Sequence, residues 1–394
     1  MILRNGRCIL STETRDGLEV VIRQGQIGEI REGRNGHPGP EGRERKSDST
    51  EEIVDLGGNY LAPGFIDLHV HGGLGRDTME ASPDAFREIC RYHASGGTTS
   101  LLLTSATAPL NKITDALEAV RTCRSSIEQI AGVHVEGPFI SRHRPGAQSN
   151  EFILNPAPEH FGPLLKYQDI IKRMTLAPEV PGALELIDEL RKVHISVSGG
   201  HSDAWDDQAR AAFEHGMRSV THTFNCMSSA RRDGIYRTAG LLEFALSEPG
   251  ISCELIADGH HVSTTLMKLL YRAKGCGGIC LVTDATAGAG LADGARFSLF
   301  GRDCIVKHGV CVLADRSALA GSAARMIDLV RTMVKEIGLP LHEAVKMATE
   351  NPARQIGLKS KGRLEKGADA DFAVLSPALE VVRTFVAGRE IFSL

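Results

Sequence analysis

In Asp67-Leu68-His69-Val70-His71-Gly72-Gly73 two imidazoles stand two residues apart, just beyond the apolar run 61–66. An extended strand points alternate side chains to one side, so His69 and His71 emerge together at its end. Paired imidazoles in that geometry suit a divalent cation. The chain has 15 histidines, and one such spacing can arise by chance; the reading gains weight because further acids and histidines close other apolar segments in the same way.

Glu136 closes His134-Val135-Glu136, where Gly137-Pro138 stops the strand and leaves the carboxylate at a rim. His201 follows Gly199-Gly200, His222 follows Val220-Thr221, and Asp284 follows Leu281-Val282-Thr283. A lone histidine at a strand end is more often a hydrogen-bonded structural residue, and a lone aspartate there often caps the next turn. Six residues in one positional class argue for a shared site instead. Imidazole and carboxylate donors suit zinc, iron, manganese or cobalt better than magnesium or calcium, and a carboxylate such as Glu136 can bridge two ions. Asp284 then reads as a general base and acid, taking a proton from water and passing it to a departing amine. Amide hydrolysis is the implied reaction class.

The elements that must position these groups are eight apolar runs, at 65–70, 99–104, 132–136, 173–177, 194–198, 219–222, 251–257 and 279–284. Amphipathic stretches at 83–95, 111–129, 182–192 and 206–215 lie among them. Such alternation implies a parallel sheet with crossover helices, and eight strands favour closure into a (β/α)8 TIM barrel. An open doubly wound sheet shows the same periodicity. In a barrel the six polar residues share one mouth, at the C-terminal strand ends.

Short strand-like runs within 1–33 and 370–392, broken by glycine and proline turns, resemble each other more than the middle of the chain. They predict a small β-sandwich domain built from both termini, 1–62 with 356–394, around a catalytic barrel at 63–355. The polar stretch 33–52 holds almost no apolar side chain and reads as an exposed loop.

The 394 residues are 42% apolar, enough for a sizeable core. Net charge is −4 with both signs interspersed, which gives no nucleic-acid footprint. No apolar run reaches membrane-spanning length and the first residues lack the apolar segment of a signal peptide, so a cytoplasmic protein is expected. Nine scattered cysteines read as reduced thiols, and the Cys276/Cys280 pair lacks partners for a structural zinc site. A small-molecule partner is expected.

Taken together, Ala62-Pro63-Gly64-Phe65-Ile66-Asp67, His134-Val135-Glu136-Gly137-Pro138, Gly200-His201-Ser202, Thr221-His222-Thr223-Phe224-Asn225, Asp258-Gly259-His260-His261 and Val282-Thr283-Asp284-Ala285 resemble the N-acetylglucosamine-6-phosphate deacetylases of the amidohydrolase superfamily. Asn351-Pro352-Ala353 and Gly367-Ala368-Asp369-Ala370-Asp371 are similar to the wider superfamily. The resemblance implies a barrel with a small β-sandwich, usually a homodimer, that removes acetate from a phosphorylated amino sugar. It implies that Glu136, His201 and His222 hold one metal, that His69 and His71 supply a second, and that Asp284 is the acid/base. His261 would contact the sugar, and the Asn225-Cys226 backbone would meet the phosphate. Two positions depart from the family pattern. Where many members place a histidine that polarises the acetamide carbonyl, this chain has Gln148, an amide donor that carries no charge. The arginine segment that meets phosphate is altered, leaving Arg232 or Arg237 to clamp it, across a dimer interface or as ordinary exposed ion pairs.

Overall fold

The computed structural model describes residues 1–33 and 52–394. Of the polar stretch expected to be an exposed loop, all but its two ends lie outside the described residues.

Eight parallel strands form the barrel: Phe65–Val70, Thr98–Thr104, Ile130–Glu136, Ile171–Leu176, Ser196–Gly199, Ser219–Val220, Ser252–Leu255 and Ile279–Leu281. Each pairs with its sequence neighbour in register order. The ends meet through the Val70–Ala285 bridge and through Asp67, whose carboxylate accepts from Thr283 N at 3.2 Å and Thr283 Oγ1 at 2.5 Å. Closure explains why both edge strands are buried. An open sheet would have left the Phe65 and Ile279 edges with unpaired backbone.

Helices follow the strands and bury one face each. Pro83–Ala94 starts with proline at its first position, pre-set for helical φ, and turns Ala85, Phe86, Ile89, Cys90, His93 and Ala94 inward at three- and four-residue spacing. The helix expected over 111–129 is Leu110–Cys123, because the chain tightens into a 3₁₀ turn at Arg124–Ser126 before the third strand. The sixth strand is two residues long, not four, since His222 has φ 31° and has already left the ladder.

His93 is wholly buried, with Nε2 at 3.1 Å from Gly72 O. Burial pushes its pKa down from 6.5 to about 4, so the folded protein keeps it neutral while the unfolded chain binds a proton below about 6.5. Its contribution is present above pH 6.5 and is lost as pH falls toward 4, an effect of about 3 kcal/mol at most. Chemical denaturation of His93→Gln should show a flatter loss of stability across that window than the unsubstituted protein. Parallel slopes would remove His93 from the account.

The termini meet as expected. Strands Ile2–Ile9, Thr14–Arg23, Gln26–Glu32, Ile53–Asp55 and Tyr60–Pro63 join Phe372–Leu375, Val381–Val386 and Arg389–Ser393 in one eight-stranded mixed sheet. Tyr60–Pro63 pairs antiparallel with Phe372–Leu375, so the two ends of the chain share a ladder. Its own core includes Leu3, Val20, Leu61, Phe372 and Phe385.

The sheet that follows the barrel was not foreseen. After the eighth strand, Arg296–Leu299, Arg302–Lys307 and Val310–Leu313 form an antiparallel three-stranded sheet around Leu299, Cys304, Val306, Cys311 and Leu313. It stands over the barrel mouth. Among the described residues no helix is long and apolar enough to cross a membrane.

Candidate metal centre and active site

The strands deliver their terminal side chains to one place. His69 and His71 come from the first strand end, Glu136 from the third, His201 from the loop after the fifth, His222 after the sixth and Asp284 after the eighth. His201, His222 and Asp284 have φ of 46°, 31° and 49°, a left-handed conformation that non-glycine residues enter at some cost. The chain therefore kinks where each ligand-type side chain must turn into the mouth.

Two donor groups result: His69, His71 and Asp284, and Glu136, His201 and His222. Glu136 lies between them. Its Oε1 is 3.2 Å from His222 Nε2 and 3.3 Å from the Nε2 atoms of His201 and His69, while Oε2 is 3.2 Å from His71 Nε2. The Nε2 atoms of His201 and His222 are 3.1 Å apart, and those of His69 and His71 are 3.2 Å apart. Neutral imidazoles aimed at each other across such gaps cannot all be satisfied by mutual hydrogen bonds, whereas lone pairs converging on a cation can.

The opposite ring atoms support that test. His201 Nδ1 is 3.0 Å from Arg144 O, His222 Nδ1 is 3.2 Å from Asn225 O and His69 Nδ1 is 3.4 Å from Glu254 Oε2. An N–H donated to each of those acceptors leaves Nε2 unprotonated and free to ligate. The donor set therefore fits one or two divalent ions.

Electrostatics point the same way. Burial alone would raise the Glu136 carboxyl, but the His69 and His201 charges and the His201 and His222 hydrogen bonds hold it well below the carboxylate range. Burial opposes the His69 cation, yet Glu136 and Asp284 raise its pKa well above the usual value. The pocket favours positive charge, and protons compete with a metal for the same nitrogens, so metal affinity should weaken as pH falls.

A cleft of about 230 Å³ opens over this centre, lined by His71, Glu136, Gln148, His201, His222, Asn225, Cys226, His261 and Asp284. Gln148 Nε2 donates to Glu136 Oε2 at 2.6 Å, and its Oε1 accepts from Thr107 N at 2.8 Å. One N–H of Gln148 remains for a substrate oxygen. His261 Nδ1 sits 2.7 Å from Asp258 Oδ2; burial lowers the His261 pKa, but the Asp258 hydrogen bond and charge outweigh that and raise it. Arg232 and Arg237 face each other across an exposed hairpin and do not line the cleft. Among the described residues, no lysine or arginine lines it.

Beneath the centre the barrel interior is polar rather than aliphatic. Arg173 and Glu254 form a fully buried ion pair at 2.8 Å, and Arg173 Nη2 also donates to Ser198 Oγ at 2.9 Å. Glu254 Oε2 accepts from His222 N at 3.1 Å as well as facing His69. Nearby His134 bonds Thr175 Oγ1 at 2.7 Å; burial, then the His69 charge, keeps its pKa well below the usual value. Glu179 fixes the His201 loop by accepting from Ser202 Oγ at 2.7 Å and Asp203 N at 2.6 Å. None of Arg173, Glu254 or Glu179 was singled out for a role in the sequence. The one available signal is that the two-residue period of a strand sets Arg173 on the same face as Thr175.

Residues 60–391 match the model of the amidohydrolase family. The chain is 33% identical to an N-acetylglucosamine-6-phosphate deacetylase of Lysinibacillus sphaericus, over 99% of this chain and 97% of that one. It is 34% identical to an N-acetylgalactosamine-6-phosphate deacetylase of Escherichia coli O157:H7, over 86% and 89% of the two chains. The crystal structure of N-acetylglucosamine-6-phosphate deacetylase from Pasteurella multocida is similar with a TM-score of 0.90 at 31% identity, covering 99% of this chain and 98% of that one. With the barrel, the paired donor groups and this similarity together, the chain belongs to the amidohydrolase family.

Proposed function

We propose that this chain is a metal-dependent hydrolase that cleaves the acetamide of N-acetylglucosamine 6-phosphate to glucosamine 6-phosphate and acetate. One observation carries the reading: Glu136 joins two three-residue donor groups, one of which contains Asp284, at the floor of a cleft sized for a small molecule. The names of the relatives support the substrate.

Glu136, His201 and His222 would hold one divalent ion and His69 and His71 a second, with zinc, iron, manganese or cobalt the suitable metals. Such an ion polarises a carbonyl and acidifies water at neutral pH. Asp284 accepts the proton of the attacking water and delivers it to the departing nitrogen, so acetate and free amine leave together. Gln148 offers its remaining N–H to the acetamide oxygen, and His261, held by Asp258, hydrogen-bonds the sugar.

The Asn225-Cys226 backbone meets the phosphate in this reading. With no lysine or arginine in the cleft lining among the described residues, Arg232 or Arg237 of a second copy supplies the charge, and we therefore assign a homodimer. Nine free cysteines fit a reducing, cytoplasmic setting.

The test is amine release from N-acetylglucosamine 6-phosphate, N-acetylgalactosamine 6-phosphate and unphosphorylated N-acetylglucosamine on metal-analysed protein. Fastest turnover of the first is expected. Preference for the galacto sugar or the free sugar would move the assignment within deacetylases, and metal-loaded protein that binds sugar without turnover would replace it with a silent sensor. Arg232→Ala or Arg237→Ala should raise KM at least about tenfold for the phosphorylated sugar, the scale of a lost guanidinium–phosphate contact. Neither should alter hydrolysis of the unphosphorylated one. Equal effects on both sugars would take the arginines out of phosphate recognition.

A further inference from the structure

Phe300 sits at the tip of the hairpin joining Arg296–Leu299 to Arg302–Lys307. Its φ is 53° and that of Gly301 is 79°. Two successive left-handed residues make a tight hairpin turn that favours Asn-Gly, so phenylalanine at the first of them is a costly choice. Strain of this kind persists where the side chain has a use. The Phe300 ring packs edge-on against His71, with centroids 5.2 Å apart at 72°.

Phe300 also separates two spaces. It lines the cleft of about 230 Å³ over Glu136 and Asp284, and it lines a neighbouring cavity of about 600 Å³. Met79, Ala106, Ala108, Phe152, Leu291 and Phe297 supply the apolar part of that second cavity's lining, and the charged residues Asp77, Glu80, Lys112 and Arg296 also border it. Thr107, whose N–H holds Gln148 Oε1, borders it too. The second cavity thus begins where the Gln148 and His71 side of the cleft ends.

The lining of the cleft includes both polar and apolar groups. Asn225, Cys226 and His261 can serve the hydroxyls of a sugar, whereas Leu299, Phe300 and Leu319 offer no hydrogen bonds. Phe300 lies against His71, whose Nε2 is 3.2 Å from Glu136 Oε2 and 3.4 Å from Asp284 Oδ1, so an acyl group with its carbonyl over Glu136 and its nitrogen beside Asp284 has its carbon substituent within reach of Phe300. We propose that Phe300 sets the length of N-acyl group this enzyme cleaves, closing off a latent acyl-chain cavity so that acetyl fits and longer chains do not. This rests on the deacetylase reading above. The chemistry is unchanged: water oxygen bonds to the acyl carbon, the C–N bond breaks, one proton goes to nitrogen, and the acid leaves as its carboxylate.

The experiment compares amine release from N-acetyl, N-propanoyl, N-butanoyl and N-hexanoyl glucosamine 6-phosphate by the metal-loaded full chain, by Phe300→Ala and by the milder Phe300→Leu. The unsubstituted protein should favour acetyl. Each methylene newly buried in the second cavity is worth about fourfold, so Phe300→Ala should raise the butanoyl-to-acetyl ratio of kcat/KM by about 15-fold. Phe300→Leu should move it part of the way. Adding Ala108→Phe to Phe300→Ala refills the cavity and should reverse the gain. Acetyl turnover with the same chain-length profile in all variants overturns the proposal while leaving the deacetylase reading intact. A uniform loss on every substrate in Phe300→Ala and Phe300→Leu makes Phe300 a platform for the sugar and overturns it equally. Absence of acetyl turnover in the unsubstituted, metal-loaded protein sinks the functional reading first and this proposal with it.

Discussion

Asp284→Asn should lower kcat by about 10³-fold, within the range that positioned proton transfer contributes. Asparagine keeps the size and the planar head of aspartate but takes up no proton. Asp284 Oδ1 is 3.4 Å from Nε2 of both His69 and His71, within reach of a water at the first donor group. Its backbone is fixed from both sides, by Asp284 N donating to His69 O at 2.9 Å and by Ser322 N donating to Asp284 O at 2.8 Å. The substitution should therefore leave the fold and the melting temperature in place. Because the lost function belongs to the reaction rather than to sugar binding, kcat should fall far more than KM rises. Metal at Glu136, His201 and His222, a group without Asp284, should remain by elemental analysis. Activity within tenfold of the unsubstituted protein would assign the proton transfer elsewhere.

Much of the barrel was legible because its strands are short apolar runs ended by chemistry. All eight runs became barrel strands, and the residues at their ends came together, since a parallel barrel sends every C-terminal strand end to one face. Boundaries were less legible where the backbone bends at a polar residue: His222 looked like the last residue of a strand, but its left-handed φ of 31° places it after the ladder. The three-stranded sheet over the mouth was missed because its apolar runs are only a few residues long and are flanked by charged residues, as in Arg302-Asp303-Cys304-Ile305-Val306-Lys307, which reads as a polar connection. Arg232 and Arg237 illustrate another limit. Sequence marks them as cations near a phosphate-type segment, while the structure sets them on an exposed hairpin whose tip carries Ile235 and Tyr236 at 81% and 71% exposure, so any partner they have must approach from outside.

The polar barrel interior orients the His69 imidazole and anchors the His222 backbone through Glu254, and it yields the largest stability effect expected here. Arg173→Met should destabilise the protein by about 3–5 kcal/mol, because it strands Glu254 as a buried carboxylate without its cation. The pair is wholly enclosed, so water cannot replace the lost partner. The Arg173 Nε and Nη1 atoms find no acceptor among the described residues, which means that much of the guanidinium's desolvation is offset only by Glu254 and Ser198. Replacing Glu254 as well, in Arg173→Met with Glu254→Leu, should recover a good part of the stability, since an apolar pair of similar volume avoids both desolvation costs. It should not recover the site. Glu254 Oε2 is the group facing His69 Nδ1 and accepting from His222 N, and loss of such an orienting partner costs about 10–100-fold in metal affinity or activity. The double variant should thus melt well above Arg173→Met yet bind metal more weakly than the unsubstituted protein. Thermal unfolding and metal titration on the same three proteins separate the two roles, and a double variant as unstable as Arg173→Met would show that the charge pair is not what Arg173 contributes.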